Sequence, residues 1–105
     1  MLLYSDSVSG ATTGTSYSDT IKTTVETMYL LVDTTAITAG TLDIEVQWSI
    51  DGNTWYSYST PDDLAQITGT GETWLGALPA RAPFMRLAYV VVTGPVTFDL
   101  AVSGF

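Results

Sequence analysis

The chain contains no cysteine and no histidine. Without thiols there is no disulfide, no thiolate nucleophile and no cysteine-ligated zinc. Without imidazole the usual general base is missing, and with it Ser-His-Asp catalysis and most transition-metal sites. A domain lacking both residues is a poor candidate for an enzyme, and no cofactor is expected. Cations are scarce as well. Lys22, Arg81 and Arg86 face eleven acidic residues, giving a formal charge of −8. Phosphate binding needs clustered Lys and Arg, so nucleic acid is excluded as a partner. An anionic membrane surface is disfavoured for the same reason. The longest apolar run, Leu87 to Val92, is strand-sized, far below the roughly 20 residues of a membrane helix. The opening M-L-L-Y-S-D-S has no basic start and no long apolar core, so it does not read as a secretory signal. The expectation is a protein made and kept in a cytoplasm until something assembles it.

What is present is apolar and β-like. Hydrophobic residues make up 46% of the 105 positions, and only 13% are charged. That is enough apolar matter for one core in a single domain, residues 1–105, and too little length for two. With so few charges the surface must be made of Thr, Ser, Tyr and Gly.

The stretch Thr41 to Trp55 organises the rest. Leu42, Ile44, Val46, Trp48 and Ile50 alternate with Asp43, Glu45, Gln47 and Ser49. A period of two over nine residues predicts a strand with one face on a core and the other in water. Asp51-Gly52-Asn53 supplies turn formers, and Trp55-Tyr56-Ser57-Tyr58 returns as the second arm of a hairpin.

Further strands are expected around it. Met1 to Tyr4 reads as an edge strand or a docking arm. Ser5 to Ser18 reads as a long loop or a weak strand, so residues 1–18 form a candidate mobile arm that orders on a partner. Strands are predicted at Thr20–Thr24, Val25–Asp33, Leu64–Thr68, Phe84–Thr93 and Val96–Ser103, with a brief pairing at Glu72–Leu75. Ser59 to Asp63 reads as a turn. Leu78 to Pro83 cannot be a central strand, because Pro79 and Pro83 lack an N–H. About seven or eight short strands with no helix predict an all-β fold, a single antiparallel β-sandwich of jelly-roll type.

Few residues suggest chemistry. Ser49-Ile50-Asp51-Gly52-Asn53-Thr54-Trp55 is one residue short of the Asp-box pattern of propeller glycosidases and lectins. It reads as a turn whose Asp51 side chain binds backbone N–H groups while Trp55 packs on the strand. Trp55, Tyr56, Tyr58 and Trp74 offer a possible stacking platform for sugar rings, against which stands ordinary cross-strand packing. Asp62 and Asp63, with Asp51 or Glu72, show no known Ca²⁺ ligand spacing. Asp43 and Glu45 share a strand face with nothing apolar to raise either pKa, so they do not read as a glycosidase pair. Arg86, mid-strand, should meet a carboxylate. Phe84 to Thr93 has apolar residues on both faces, as if part of it met another chain.

Taken in order, T-A-G-T-L-D-I-E-V-Q-W-S-I-D-G-N-T-W, Q-I-T-G-T-G, L-P-A-R-A-P-F-M-R-L-A-Y and V-T-F-D-L-A-V resemble the small capsid decoration, or cement, proteins of tailed bacteriophages. The likeness covers roughly Met28 to Val102. S-x-D-G-x-x-W in a hairpin also occurs in discoidin-like sandwiches, but this chain is shorter and lacks their Cys pair. The resemblance implies a jelly-roll-like virion protein without catalytic residues. It implies a trimer on the capsid surface that links neighbouring major capsid protein subunits. The residues expected at partner contacts are Leu2, Leu3, Tyr4, Arg81, Phe84, Arg86 and Phe105. The rival expectation is a carbohydrate- or receptor-binding module of a tail fibre, or another virion accessory protein.

Overall fold

Alternation of apolar and polar residues runs through nearly every long segment, and the computed structural model folds these segments into two antiparallel sheets. The structure describes residues 1–57 and 66–104. Nine strands are found among them: β1 (Leu2–Ala11), β2 (Gly14–Tyr17), β3 (Ile21–Lys22), β4 (Thr27–Ile37), β5 (Thr41–Ser49), β6 (Tyr56–Ser57), β7 (Gly71–Pro79), β8 (Phe84–Val92) and β9 (Val96–Gly104). One sheet has the order β1-β9-β4-β7; the other has β2-β8-β5-β6, with β3 also on β8. Since β2 and β3 lie in sequence along the same edge of β8, they act as one interrupted strand. The order is then that of a jelly roll, and the all-β sandwich expected from periodicity is what the chain forms.

The core sits between the sheets. Met28, Leu30 and Val32 of β4 and Val96, Phe98, Leu100 and Val102 of β9 face Leu42, Ile44, Val46 and Trp48 of β5 and Met85, Leu87, Tyr89 and Val91 of β8; all are buried. Burying each such side chain contributes about 1.5–3 kcal/mol before chain entropy is counted. Tyr89 meets Phe98 edge-on across the layers, with centroids 5.2 Å apart at 79°. The Tyr89 hydroxyl donates to Asp6 Oδ2 at 3.2 Å, and Tyr4 donates to the same oxygen at 3.3 Å. Burial is the first cause that pushes the pKa of both phenols up.

Three expectations change. The polar stretch Ser5 to Ser18, read as loop or weak strand, is strand: β1 pairs with β9 and β2 with β8. Its serines and threonines mark strands at the sheet edges, which have little core to face. Ile50, placed with the inward set, is 79% exposed, and β5 ends at Ser49. The segment from Gly71 to Pro79, expected to pair only at Glu72–Leu75, is one nine-residue strand. It lies at an edge, where Pro79 is tolerated. The Ser59–Asp63 turn and most of the Leu64–Thr68 strand fall outside the described residues. Ile67 makes a single bridge to Leu42. The Met1 ammonium donates to the Gly104 carbonyl at 3.0 Å, and Gly104 N–H donates to the Met1 carbonyl at 2.7 Å.

Candidate binding groove

The end of β5 is shaped by two short polar side chains. Ser49 is buried, and its hydroxyl donates to Asp51 Oδ1 at 3.0 Å while accepting from Gly52 N–H at 2.8 Å. The same Asp51 oxygen accepts from the N–H groups of Asn53 and Thr54, each at 2.9 Å. These donors all favour the ionised carboxylate. The Thr54 and Asn53 N–H groups, then the Ser49 hydroxyl, hold the Asp51 pKa down at about 2. Gly52 has φ 81°, a conformation that suits glycine. A Cβ on Gly52 would stand 3.8 Å from the Phe84 ring, so Phe84 lies under the turn as its prop. The turn reading of the Asp-box-like motif holds: Asp51 binds backbone N–H groups.

Trp55 leaves this turn toward Arg86. The Arg86 guanidinium carbon lies 4.7 Å from the Trp55 ring centroid and 3.9 Å from that of Tyr17. Its Nε donates to Gln47 Oε1 at 2.7 Å. The carboxylate expected for Arg86 is therefore replaced by a neutral amide and two aromatic faces. The reason is register: β5 sets Gln47 opposite Arg86, while β2 sets Tyr17 opposite Ala88. Part of the apolar outer face of β8 is thus covered from within the chain, and Ala88 is buried.

With Trp55 occupied, the turn directs two other side chains outward. Ile50 is 79% and Tyr56 is 62% exposed. Together with Trp48, Ser49, Ser57, Arg81 and Ala82 they line a groove of about 190 Å³. An adjoining hollow of about 230 Å³ is lined by Ile50, Asp51, Thr54 and Tyr56. The far wall is fixed by Thr23, whose hydroxyl donates to the Ala82 carbonyl and whose N–H donates to the Pro83 carbonyl at 3.0 Å. The groove is apolar with one cation on its rim. It can seat an aliphatic or aromatic side chain. Among the described residues, the group with a shifted pKa beside the groove is Asp51, in the adjoining hollow, which is held ionised by its own turn.

The residues singled out from sequence are dispersed. Arg81 and Tyr56 meet in the groove. Phe84 and Arg86 are half-buried supports of the turn. Leu2 is 62% exposed, whereas Leu3 and Tyr4 turn inward and pack against the core, so these three do not form a free anchor. Trp74 stands on the outer face of the other sheet, on β7, away from Trp55 and Tyr56. A single platform of Trp55, Tyr56 and Trp74 is therefore not formed. Tyr58 and Phe105 lie outside the described residues. Ile50 was missed as a surface residue because strict alternation assigned it to the core. The signal was there: Ser49 and Asp51, two short hydrogen-bonding residues, flank it before Gly52. Comparison with family models and with curated proteins finds no match to this chain.

Proposed function

We propose that the protein acts by binding rather than catalysis, as a decoration or cement protein on a bacteriophage capsid. The observation that supports it is the groove: Ile50 and Tyr56 expose large apolar surface beside Arg81 at one end of a rigid sandwich. Exposed apolar side chains gathered beside a groove, unlike those scattered singly, mark places where another molecule docks. The sequence adds the absence of histidine and cysteine and the likeness to small virion proteins. The major capsid protein is the proposed partner, contacted through the groove, with Ile50 and Tyr56 as anchors and Arg81 at the rim. A trimer, as the likeness implies, offers three such grooves, and weak contacts then add through effective concentration. A protein that binds the assembled shell better than free subunits stabilises it by mass action.

The test is a thermal melt of capsids with and without saturating protein. The melting temperature should rise, and Ile50→Asp should abolish the rise while leaving the folded domain intact. An unchanged capsid melt at full occupancy sinks the reading. The rival, a carbohydrate-binding module, draws on the exposure of Tyr56 and Trp74, each 62%. Retention on a sugar column that is lost in Tyr56→Ala would move it ahead.

A further inference from the structure

Each sheet ends in two strands whose outer main-chain groups have no neighbour among the described residues. Such edges template pairing with other chains unless they are short, bulged or charged. Three of the four are blocked in one of these ways. Among the described residues, strand β6 has two, and the β2/β3 edge is broken into pieces of four and two. Strand β1 also has an unshifted run, Tyr4–Val8, but the charge inside that run, Asp6, points inward to Tyr89, which blunts the edge. Strand β7 differs. Its register shifts only beyond Leu75; from Gly71 to Leu75 it pairs with β4 without a shift, and its one charge there, Glu72, is exposed rather than turned inward.

The sheet face beside this edge is ordered in rows. Cross-strand register aligns Trp74, Leu31, Ala101 and Ser5 in one row. The next row is Glu72, Asp33, Asp99 and Ser7. Like charges directly opposite one another destabilise a sheet. Among the described residues, none of these three carboxylates has a hydrogen-bond or ion-pair partner.

We propose that the free edge of β7 accepts an extended strand of another protein, which carries Lys or Arg opposite Glu72 and an apolar residue opposite Trp74. Main-chain pairing along Gly71–Leu75 supplies the affinity, and the two rows supply the selectivity. In antiparallel pairing the incoming strand reads apolar, any residue, basic. Its cation extends the acidic row with the opposite charge and relieves the repulsion inside it; its apolar side chain covers Trp74. A second copy of β7 is a poor occupant, since the strand offers Glu72 and no cation. The edge shares no residue with the groove at Ile50 and Tyr56, so this inference goes beyond the capsid reading and does not depend on it.

The test uses the full chain, labelled with nitrogen-15, and a blocked peptide Thr-Thr-Val-Thr-Lys-Thr-Thr. Amide shifts should move along Gly71–Leu75 and β4, and the same peptide with Glu in place of Lys should bind about tenfold more weakly, as expected for a close charge contact. Salt should weaken the lysine peptide and leave the glutamate peptide little changed. Glu72→Lys, an exposed substitution, should invert the preference. No shift at millimolar peptide, equal binding of the two peptides, or shifts confined to the groove would overturn the proposal. So would sedimentation showing that the chain occupies this edge by pairing with itself and that Trp74→Lys disperses the dimer. Retention of a neutral oligosaccharide on Trp74, insensitive to salt and to Glu72→Lys, would replace it with a sugar site.

Discussion

On the outer face of the five-stranded sheet, Arg86 lies between the rings of Tyr17 and Trp55 and is hydrogen-bonded to Gln47. On the outer face of the four-stranded sheet, Glu72, Asp33 and Asp99 stand side by side with no cation in the row. The two faces belong to one sandwich and share one core, yet among the described residues the first satisfies its charge internally and the second does not. The comparison teaches where this molecule has spent its few cations. One of three fastens a turn and closes a face, which leaves the opposite face acidic and open. It also separates support from contact. Phe84, Arg86 and Trp55 hold the turn; Ile50 and Tyr56, which they present, are free to touch something else.

The comparison is broken most completely at the core that both faces share. Phe98→Ala removes the edge-on partner of Tyr89 across the layers and should cost about 3–5 kcal/mol in urea unfolding. Both faces should lose structure together; a loss confined to one sheet would show that the layers fold separately. Arg86→Ala acts on one face alone. It removes two cation–π contacts and one hydrogen bond, and should cost about 1–2 kcal/mol, with a change in tryptophan fluorescence. Arg86→Lys should not restore it, because a point charge lacks the flat guanidinium that stacks on two rings. On the opposite face the sign reverses. Asp33→Asn should stabilise by about 0.2–1 kcal/mol at low salt, and the gain should shrink in a thermal melt at high salt. The smallest effect concerns pH. Asp51 has its pKa lowered from 3.8 to about 2. Its contribution is therefore fully present above pH 3.8 and is lost as pH falls through about 2. Asp51→Asn should remove that dependence, read from Trp55 fluorescence, while the rest of the acid transition persists.

Much of the fold was legible because a period of two is a direct physical signature of a half-buried strand. Leu42 to Trp48 and Val96 to Val102 were placed on the correct faces by that rule alone. The rule failed two residues later, at Ile50, because the ladder ends at Ser49, whose hydroxyl starts the turn. Strand β1 was obscured by its serines: an edge strand faces the core with few side chains, so its pattern fades into loop composition. The site was harder. Tyr17 and Arg86 are far apart in sequence, and their meeting depends on the registers of two strand pairs. Neither register can be read from either segment. Arg81 and Tyr56 were each singled out, but for rival reasons, and only the folded chain brings them into one groove. The acidic row is written in three separate strands and becomes a row only once β7, β4 and β9 are aligned.

The hydrogen bonds between Met1 and Gly104 have a mechanical consequence. Because β1 runs antiparallel to β9, residue 1 and residue 104 sit at the same end of that pair. Tension that pulls these two residues apart acts across the ladder and loads its rungs one after another. Each rung is worth only about 1 kcal/mol, so the pair opens like a zipper at low force. Tension applied along the strands would load the rungs together and meet far greater resistance.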